Sequence, residues 1–184
     1  LKGIVNTAMI SWVDLSASIL DMVGIETDKF RFHGRSFNGI LEENDPTAWD
    51  KVYASHTFHE ITMYYPMRSV RKDNMKMIWN IAYRLEYPFA SDLWISSTWQ
   101  DIHRNDKVYF GERKVDDYLF RSEFELYDLD EDPGEINNLT NSNEHQEILE
   151  SMKQELKNFQ KETRDPWLIM WEHDASLQGS GVNL

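Results

Sequence analysis

Two apolar, β-rich runs, residues 67–70 and 75–81, flank Arg71-Lys72-Asp73-Asn74, and this pairing limits the fold more than any other stretch of the chain. Short apolar runs joined by a few polar residues read as an antiparallel hairpin. The loop has no glycine, but Asp and Asn tolerate left-handed backbone best after glycine. A strand begins upstream at residues 52–55, and residues 124–127 form a last one. Residues 144–163 then place Leu149, Met152, Leu156 and Phe159 at i, i+3, i+7 and i+10, the single apolar stripe of an amphipathic helix. Asp165-Pro166 stops that helix. The expected arrangement is α+β: an antiparallel sheet of about four strands packed against a C-terminal helix.

Upstream, residues 3–10 read as a short strand or an extended lead-in. Ser11 caps a helix, with Asp14 three residues on completing a capping box. Trp12, Leu15, Ile19 and Met22 recur at helical spacing, and Gly24 ends the helix. Residues 25–50 are loop-rich, with a turn at Asn38-Gly39. Residues 83–118 lack clear periodicity and hold Pro88, scattered aromatics and a Ser96-Ser97-Thr98 run that caps a short helix. A long irregular segment in a compact domain is often a functional loop. Residues 178–181 read as a frayed tail.

The formal net charge of −13 disfavours nonspecific binding to nucleic acid or to an anionic membrane, both of which need a basic field. A polyanionic ligand would require a local positive cluster. Arg68, Arg71, Lys72 and Lys76 form the densest basic patch close to the histidines, with a solvated hairpin edge as the competing reading. The seven Trp, eight Tyr and nine Phe suit a core beneath a sheet better than a flat-ligand surface. Without cysteine, disulfides, thiolate metal sites and a cysteine nucleophile are excluded within the chain. No apolar run approaches the ~18 residues of a membrane span. No targeting signal is present, and the opening Leu1-Lys2-Gly3, without Met, reads as a start in mid-sequence.

The chemistry concentrates in residues 55–71, which gather His56, His59, Glu60, Arg68 and Arg71 around Pro66. A zinc-peptidase reading fails, because His-Glu-x-x-His needs a helix and position 63 is Met. In a strand, residues three apart face opposite ways, so no metal ligand is assigned. A protonated histidine and an arginine can donate charge-assisted hydrogen bonds to an oxyanion, and a carboxylate such as Glu60 can accept them from hydroxyls. His59, Glu60, Arg68 and His56 are therefore the candidate substrate-binding residues. Asp128, Asp130 and Asp132 imitate a calcium loop, but Pro133 and Leu139 stand where that loop needs Gly and Glu. Asn138-Leu139-Thr140 is an N-glycosylation sequon.

The run from His59 to Val70 resembles the His-Glu-(Val/Ile)-Thr-Met-x-Tyr-Pro-Met-Arg-Ser-Val segment of sulfatases, and within them of the heparan N-sulfatase group (N-sulfoglucosamine sulfohydrolases, sulfamidases). Leu126-Tyr127-Asp128-Leu129, Asp132-Pro133, Glu135 and Asn138-Leu139 resemble a signature common to sulfatase C-terminal subdomains. The resemblance covers most of residues 1–167. It implies an alkaline-phosphatase-like α/β enzyme of which this chain is the C-terminal part. Residues 1–55 would end the main domain, residues 56–167 would form the C-terminal subdomain, and residues 168–184 would be a tail. It also implies calcium and formylglycine in the full-length enzyme, with no catalytic or metal-binding residue in this chain. Tyr64 stands at the head of Tyr64-Tyr65-Pro66-Met67-Arg68, where the formylglycine motif requires Cys or Ser, and a phenol cannot be oxidised that way. The implied substrate is a sulfated glycosaminoglycan, N-sulfoglucosamine at heparan sulfate ends, with His59 and Glu60 lining the pocket. An O-sulfatase and a non-catalytic glycan-binding module are the alternatives. The family implies a periplasmic, secreted or lysosomal setting. Bared apolar edges make a homodimer an expectation for the chain alone.

Overall fold

Gly24 closes the first helix at φ +73°. The computed structural model describes residues 3, 5–26 and 29–173. Helix α1 spans Trp12–Met22, and Asp14 Oδ2 accepts the Ser11 backbone N–H at 2.9 Å in the expected capping box. At its end, the Gly24 N–H bonds Asp21 O at 3.0 Å and the Ile25 N–H bonds Leu20 O at 2.9 Å, a Schellman motif. The lead-in at residues 5–10 is extended without forming a strand. It is held by backbone bonds from Thr7 to Asn44 O (2.9 Å) and from Met9 to Trp49 O (2.7 Å).

Side chains of α1 pin the loop at residues 34–37. Asp14 Oδ1 accepts the Arg35 N–H at 2.9 Å, Ser18 Oγ accepts the Phe37 N–H at 3.0 Å, and Ser36 Oγ donates to Asp21 Oδ2 at 2.6 Å. A Cβ on Gly34 would lie 2.2 Å from the Val13 carbonyl oxygen, so only glycine permits this approach. Arg35 stacks 3.7 Å over the Trp49 ring and donates to Ala48 O. The turn at Asn38-Gly39 is a single 3-10 turn, Asn38–Ile40. These elements belong to the first of two compact units, Leu1–Tyr53 with Arg71–Asp73.

The second unit comprises Ala54–Val70 and Asn74–Leu184. Strands β1 (Lys51–Phe58), β2 (Tyr64–Lys72) and β3 (Met75–Asn80) follow in sequence, and Asp73 turns the expected hairpin at φ +51°. Residues 83–118 are more ordered than their aperiodic sequence suggests. They contain α2 (Ser91–Ile95), α3 (Ser97–Arg104), a β4–β5 ribbon (Tyr109–Phe110 with Arg113–Lys114) and α4 (Val115–Leu119). Ser96 caps α3, accepting the Trp99 N–H at 3.2 Å. Phe89, Trp99, Phe110 and Tyr118 pack on one another with ring centroids 4.4–5.9 Å apart, so aromatic contacts order this segment. Strand β6 (Phe124–Asp128) completes a four-stranded antiparallel sheet of order β1-β2-β3-β6. In its β3–β6 register, Met77 faces Leu126 and Trp79 faces Phe124.

Helix α5 (Gln146–Thr163) buries Leu149, Met152 and Leu156, while Phe159 is only half-buried. It starts two residues later than the pattern predicts, because Asn143–His145 wind into a 3-10 turn. Arg164 ends it in a left-handed conformation at φ +56°, just ahead of Asp165-Pro166. Residues 178–181, read as a frayed tail, lie outside the described residues.

Candidate functional site

His56 sits on β1, half-buried, with Nδ1 3.0 Å from the Tyr65 carbonyl oxygen. A carbonyl only accepts, so Nδ1 carries the proton and Nε2 is left for another partner. Beyond β1 the chain turns tightly: the His59 N–H bonds Met63 O at 3.2 Å and the Met63 N–H bonds Glu60 O at 3.0 Å. This turn presents the His59 side chain to solvent. Glu60 is half-buried and reaches the start of α2, accepting the Ser91 N–H at 3.2 Å and the Ser91 hydroxyl at 3.0 Å. Each carboxylate oxygen has a second lone pair for an outside hydroxyl. Phe58, Ile61, Tyr64 and Trp94 expose apolar surface on the elements around these two residues.

Arg68 has a different role from the one its sequence context suggests. It is buried, and its Nε and Nη2 hold both oxygens of Asp165 at 2.6 and 3.0 Å. Nη1 donates to His56 O at 3.0 Å and to Met67 O at 2.8 Å. A guanidinium so engaged is a fixed tie between β2 and the end of α5, and the geometry gives it no direct part in holding sulfate. Asp165 is the centre of that tie. Burial alone would raise its carboxyl, but hydrogen bonds from Arg68, the Trp167 N–H and Gln160, with the Arg68 charge, hold it below the usual carboxylate range. Gln160, fully buried on α5, also accepts from Trp171 Nε1 at 2.7 Å. The apolar stripe does not include Gln160 because it is polar, although it lies four residues past Leu156 on the same buried face of α5.

The remaining members of the basic patch are also spent locally. Lys76 pairs with Glu135 at 2.7 Å and Lys72 with Asp50 at 3.9 Å, while Arg71 Nε donates to Asp73 O at 3.3 Å. The two lysines each meet a carboxylate and Arg71 meets a backbone carbonyl, an arrangement that suits the solvated-edge reading of that patch.

The Asp128–Leu139 motif is a turn held by its own acids. Asp128 Oδ1 accepts from Asn74 Nδ2 at 2.8 Å and from the Asp130 N–H at 3.0 Å. The Asn74 bond, opposed by partial burial and aided by the Asp130 and Glu131 N–H groups, holds its carboxyl below the ordinary value. Asp132 Oδ2 accepts the Ile136 and Asn137 N–H groups at 2.8 and 2.7 Å. These carboxylates are occupied as turn acceptors. Asn138 closes the edge of β6: its Oδ1 accepts the Leu126 N–H at 3.0 Å and its Nδ2 donates to Phe124 O at 3.1 Å, as a neighbouring strand would. The sequon nitrogen is thus already a structural donor. Among the described residues, no three His, Cys, Asp or Glu side chains group in a way that would hold a metal. Tyr64, a phenol, does not fit the formylglycine position. No helix among the described residues is long and apolar enough to cross a membrane.

Residues 100–162 match the family model described as N-sulphoglucosamine sulphohydrolase, C-terminal. Over 179 residues the chain is 31% identical to human N-sulphoglucosamine sulphohydrolase, covering 90% of this chain and 35% of the human protein. The chain thus spans about a third of that relative's length. Among solved structures, one in complex with its substrate D-glucosamine-2-N,6-O-disulfate superposes with a TM-score of 0.58 at 21% identity, over 89% of this chain and 26% of that one. A putative sulfatase from Bacteroides thetaiotaomicron gives a TM-score of 0.54 at 19% identity, over 84% of this chain and 25% of its own. A 2-O glycosaminoglycan sulfatase gives the same values. These structural likenesses carry the fold, and the human relative carries the sequence. By motif and sequence the chain is similar to the C-terminal part of N-sulphoglucosamine sulphohydrolase, and by fold it is similar to part of solved sulfatases.

Proposed function

We infer that this chain is the C-terminal portion of a sulfatase that removes sulfate from N-sulfoglucosamine at heparan sulfate chain ends, and that it supplies a wall of the substrate pocket and not the nucleophile. The observation that carries this reading is the 31% identity to human N-sulphoglucosamine sulphohydrolase over 90% of the chain. Glu60, braced at Ser91, accepts a hydroxyl of the terminal sugar. His59, exposed on the same turn, donates to a sulfate oxygen when protonated. His56, proton-fixed at Nδ1 by Tyr65 O, supports them from β1. Arg68 acts at one remove, by holding the strand that follows the turn. Calcium and formylglycine come to this reading through the family and belong to the part of the enzyme that precedes these residues. A periplasmic, secreted or lysosomal setting comes the same way.

Two outcomes test the reading. In the full-length enzyme, Glu60→Gln is expected to lower kcat/KM on an N-sulfoglucosamine-terminated oligosaccharide by about tenfold, or 1.4 kcal/mol, with Tm unchanged. The amide oxygen still accepts from Ser91, so the fold has no reason to change. Unaltered kinetics would remove Glu60 from the pocket, and preferential turnover of an O-sulfated sugar would assign the enzyme to the O-sulfatases. The 184-residue chain alone is expected to show no turnover of a sulfated chromogenic substrate. Measurable hydrolysis there would mean that these residues hold a nucleophile of their own.

A further inference from the structure

An unbroken series of hydrogen bonds runs from Trp171, beyond the end of α5, to the backbone of β1. Trp171 Nε1 donates to Gln160 Oε1 at 2.7 Å, and Gln160 Nε2 donates to Asp165 Oδ2 at 3.0 Å. Asp165 holds the Arg68 guanidinium, whose Nη1 reaches the His56 carbonyl at 3.0 Å. Each link fixes the direction of the next. An indole N–H only donates, so the Gln160 amide turns its oxygen to Trp171 and its nitrogen to the carboxylate. The indole is itself aimed by its ring, which stacks 4.1 Å from Trp79 and 5.8 Å from Phe124. At the other end, β1 is an outer strand with β2 as its neighbour, so the Arg68 bond bears directly on where His56 stands.

We propose that Gln160 and Trp171 are positioning residues for His56, setting where its imidazole stands in the pocket wall, an assignment that rests on the reading of His56 given above. Gln160 is fully buried, so it meets no sugar itself and acts only through Asp165 and Arg68. Apolar side chains of similar volume often stabilise a core as well as a buried polar series does. What a fully satisfied series supplies is a unique arrangement of the groups at its end. Here that end is a residue held twice, by Arg68 at its carbonyl and by the Tyr65 carbonyl at Nδ1, with Nε2 left for an outside partner. Loss of the Trp171 N–H frees the amide to turn, and a turned amide sets its oxygen against the Asp165 carboxylate. The displacement then passes to Arg68 and to His56.

In the full-length enzyme, Trp171→Phe keeps an aromatic ring against Trp79 and removes the indole N–H. Trp99→Phe is the matched control, since the buried Trp99 Nε1 has no hydrogen-bond partner among the described residues. The readouts are the ring-nitrogen NMR signals of isotopically labelled histidine, with His56→Gln to assign His56, and kcat and KM on an N-sulfoglucosamine-terminated oligosaccharide. Trp171→Phe is expected to shift the His56 signals and to raise KM about fivefold with kcat within about twofold of the parent, while Trp99→Phe moves neither. Gln160→Leu should act the same way, and adding Trp171→Phe to it should change nothing more, because the series is already broken. His56 signals unmoved by Trp171→Phe, or moved as much by Trp99→Phe, would overturn the proposal, as would additive effects of the two substitutions on KM. Moved His56 signals with KM unchanged would uphold the positioning and remove His56 from the pocket. Moved signals in an enzyme whose parent is inert on N-sulfoglucosamine would uphold the positioning while refuting the functional reading.

Discussion

Asp165→Ala is expected to cost about 3–5 kcal/mol of folding stability, read as a shift in the urea midpoint of the full-length enzyme's C-terminal unit. The reason is the state it leaves behind. Arg68 stays buried with two of its donors facing no acceptor, and Gln160 and the Trp167 N–H lose the same oxygens. Arg68→Met should cost less, because the Asp165 carboxylate keeps Gln160 and the Trp167 N–H as donors. The double variant Arg68→Met/Asp165→Leu should recover much of the loss, since it removes both buried charges together. The sign of the pH effect follows from the direction of the Asp165 shift. Its folded carboxyl titrates below the unfolded value of about 3.9, so its contribution is complete above that pH and is lost as pH falls through the lower folded value. Below about pH 4, stability should therefore fall more steeply in the parent than in Asp165→Ala. Identical acid limbs would mean that the ion pair contributes nothing.

The elements that were legible from sequence are those whose causes are local. Helix α1 could be bounded at both ends because Ser11, Asp14 and Gly24 act within a few residues of it. The β2–β3 hairpin was legible because Asp73 supplies its own left-handed turn. Long-range pairings leave no such trace. Arg68 meets Asp165, 97 positions away, and nothing near either residue separates a buried tie from a sulfate ligand. Periodicity likewise finds the stripe on α1 but says nothing of which side is covered. Residues 83–118 escaped for another reason: their order comes from rings that meet across short helices, a pattern without a fixed period. Within the candidate site, His59 and Glu60 themselves stood out by motif, while the turn that carries them and the brace at Ser91 did not, the brace because it joins residues 31 apart through one carboxylate.

The other large effect is expected at Glu125, a charge on β6 buried opposite Ile78. Its Oε1 accepts from Asn80 Nδ2 at 2.6 Å and lies 3.6 Å from Arg121 Nη1, while Oε2 accepts the Tyr127 hydroxyl at 2.6 Å. Burial, then the Glu125 charge and the hydrogen bond to it, push the Tyr127 phenol well above its ordinary pKa, so the hydroxyl remains a donor throughout the working range. Arg121 in turn lies 4.2 Å over the Tyr87 ring, and among the described residues its Nε has no hydrogen-bond partner. Glu125→Ala would leave Arg121 as a buried cation with only aromatic faces to answer it, and two further donors unsatisfied. A loss of about 3–5 kcal/mol follows. Glu125→Gln keeps the shape and one acceptor but removes the charge, so about half of that loss is expected. Adding Arg121→Met to Glu125→Ala should restore part of the stability, because the stranded charge is then gone. If the double variant is as unstable as the sum of the two single ones in urea denaturation, the carboxylate and the guanidinium do not act as a pair, and the ring stack on Tyr87 alone holds Arg121 in place.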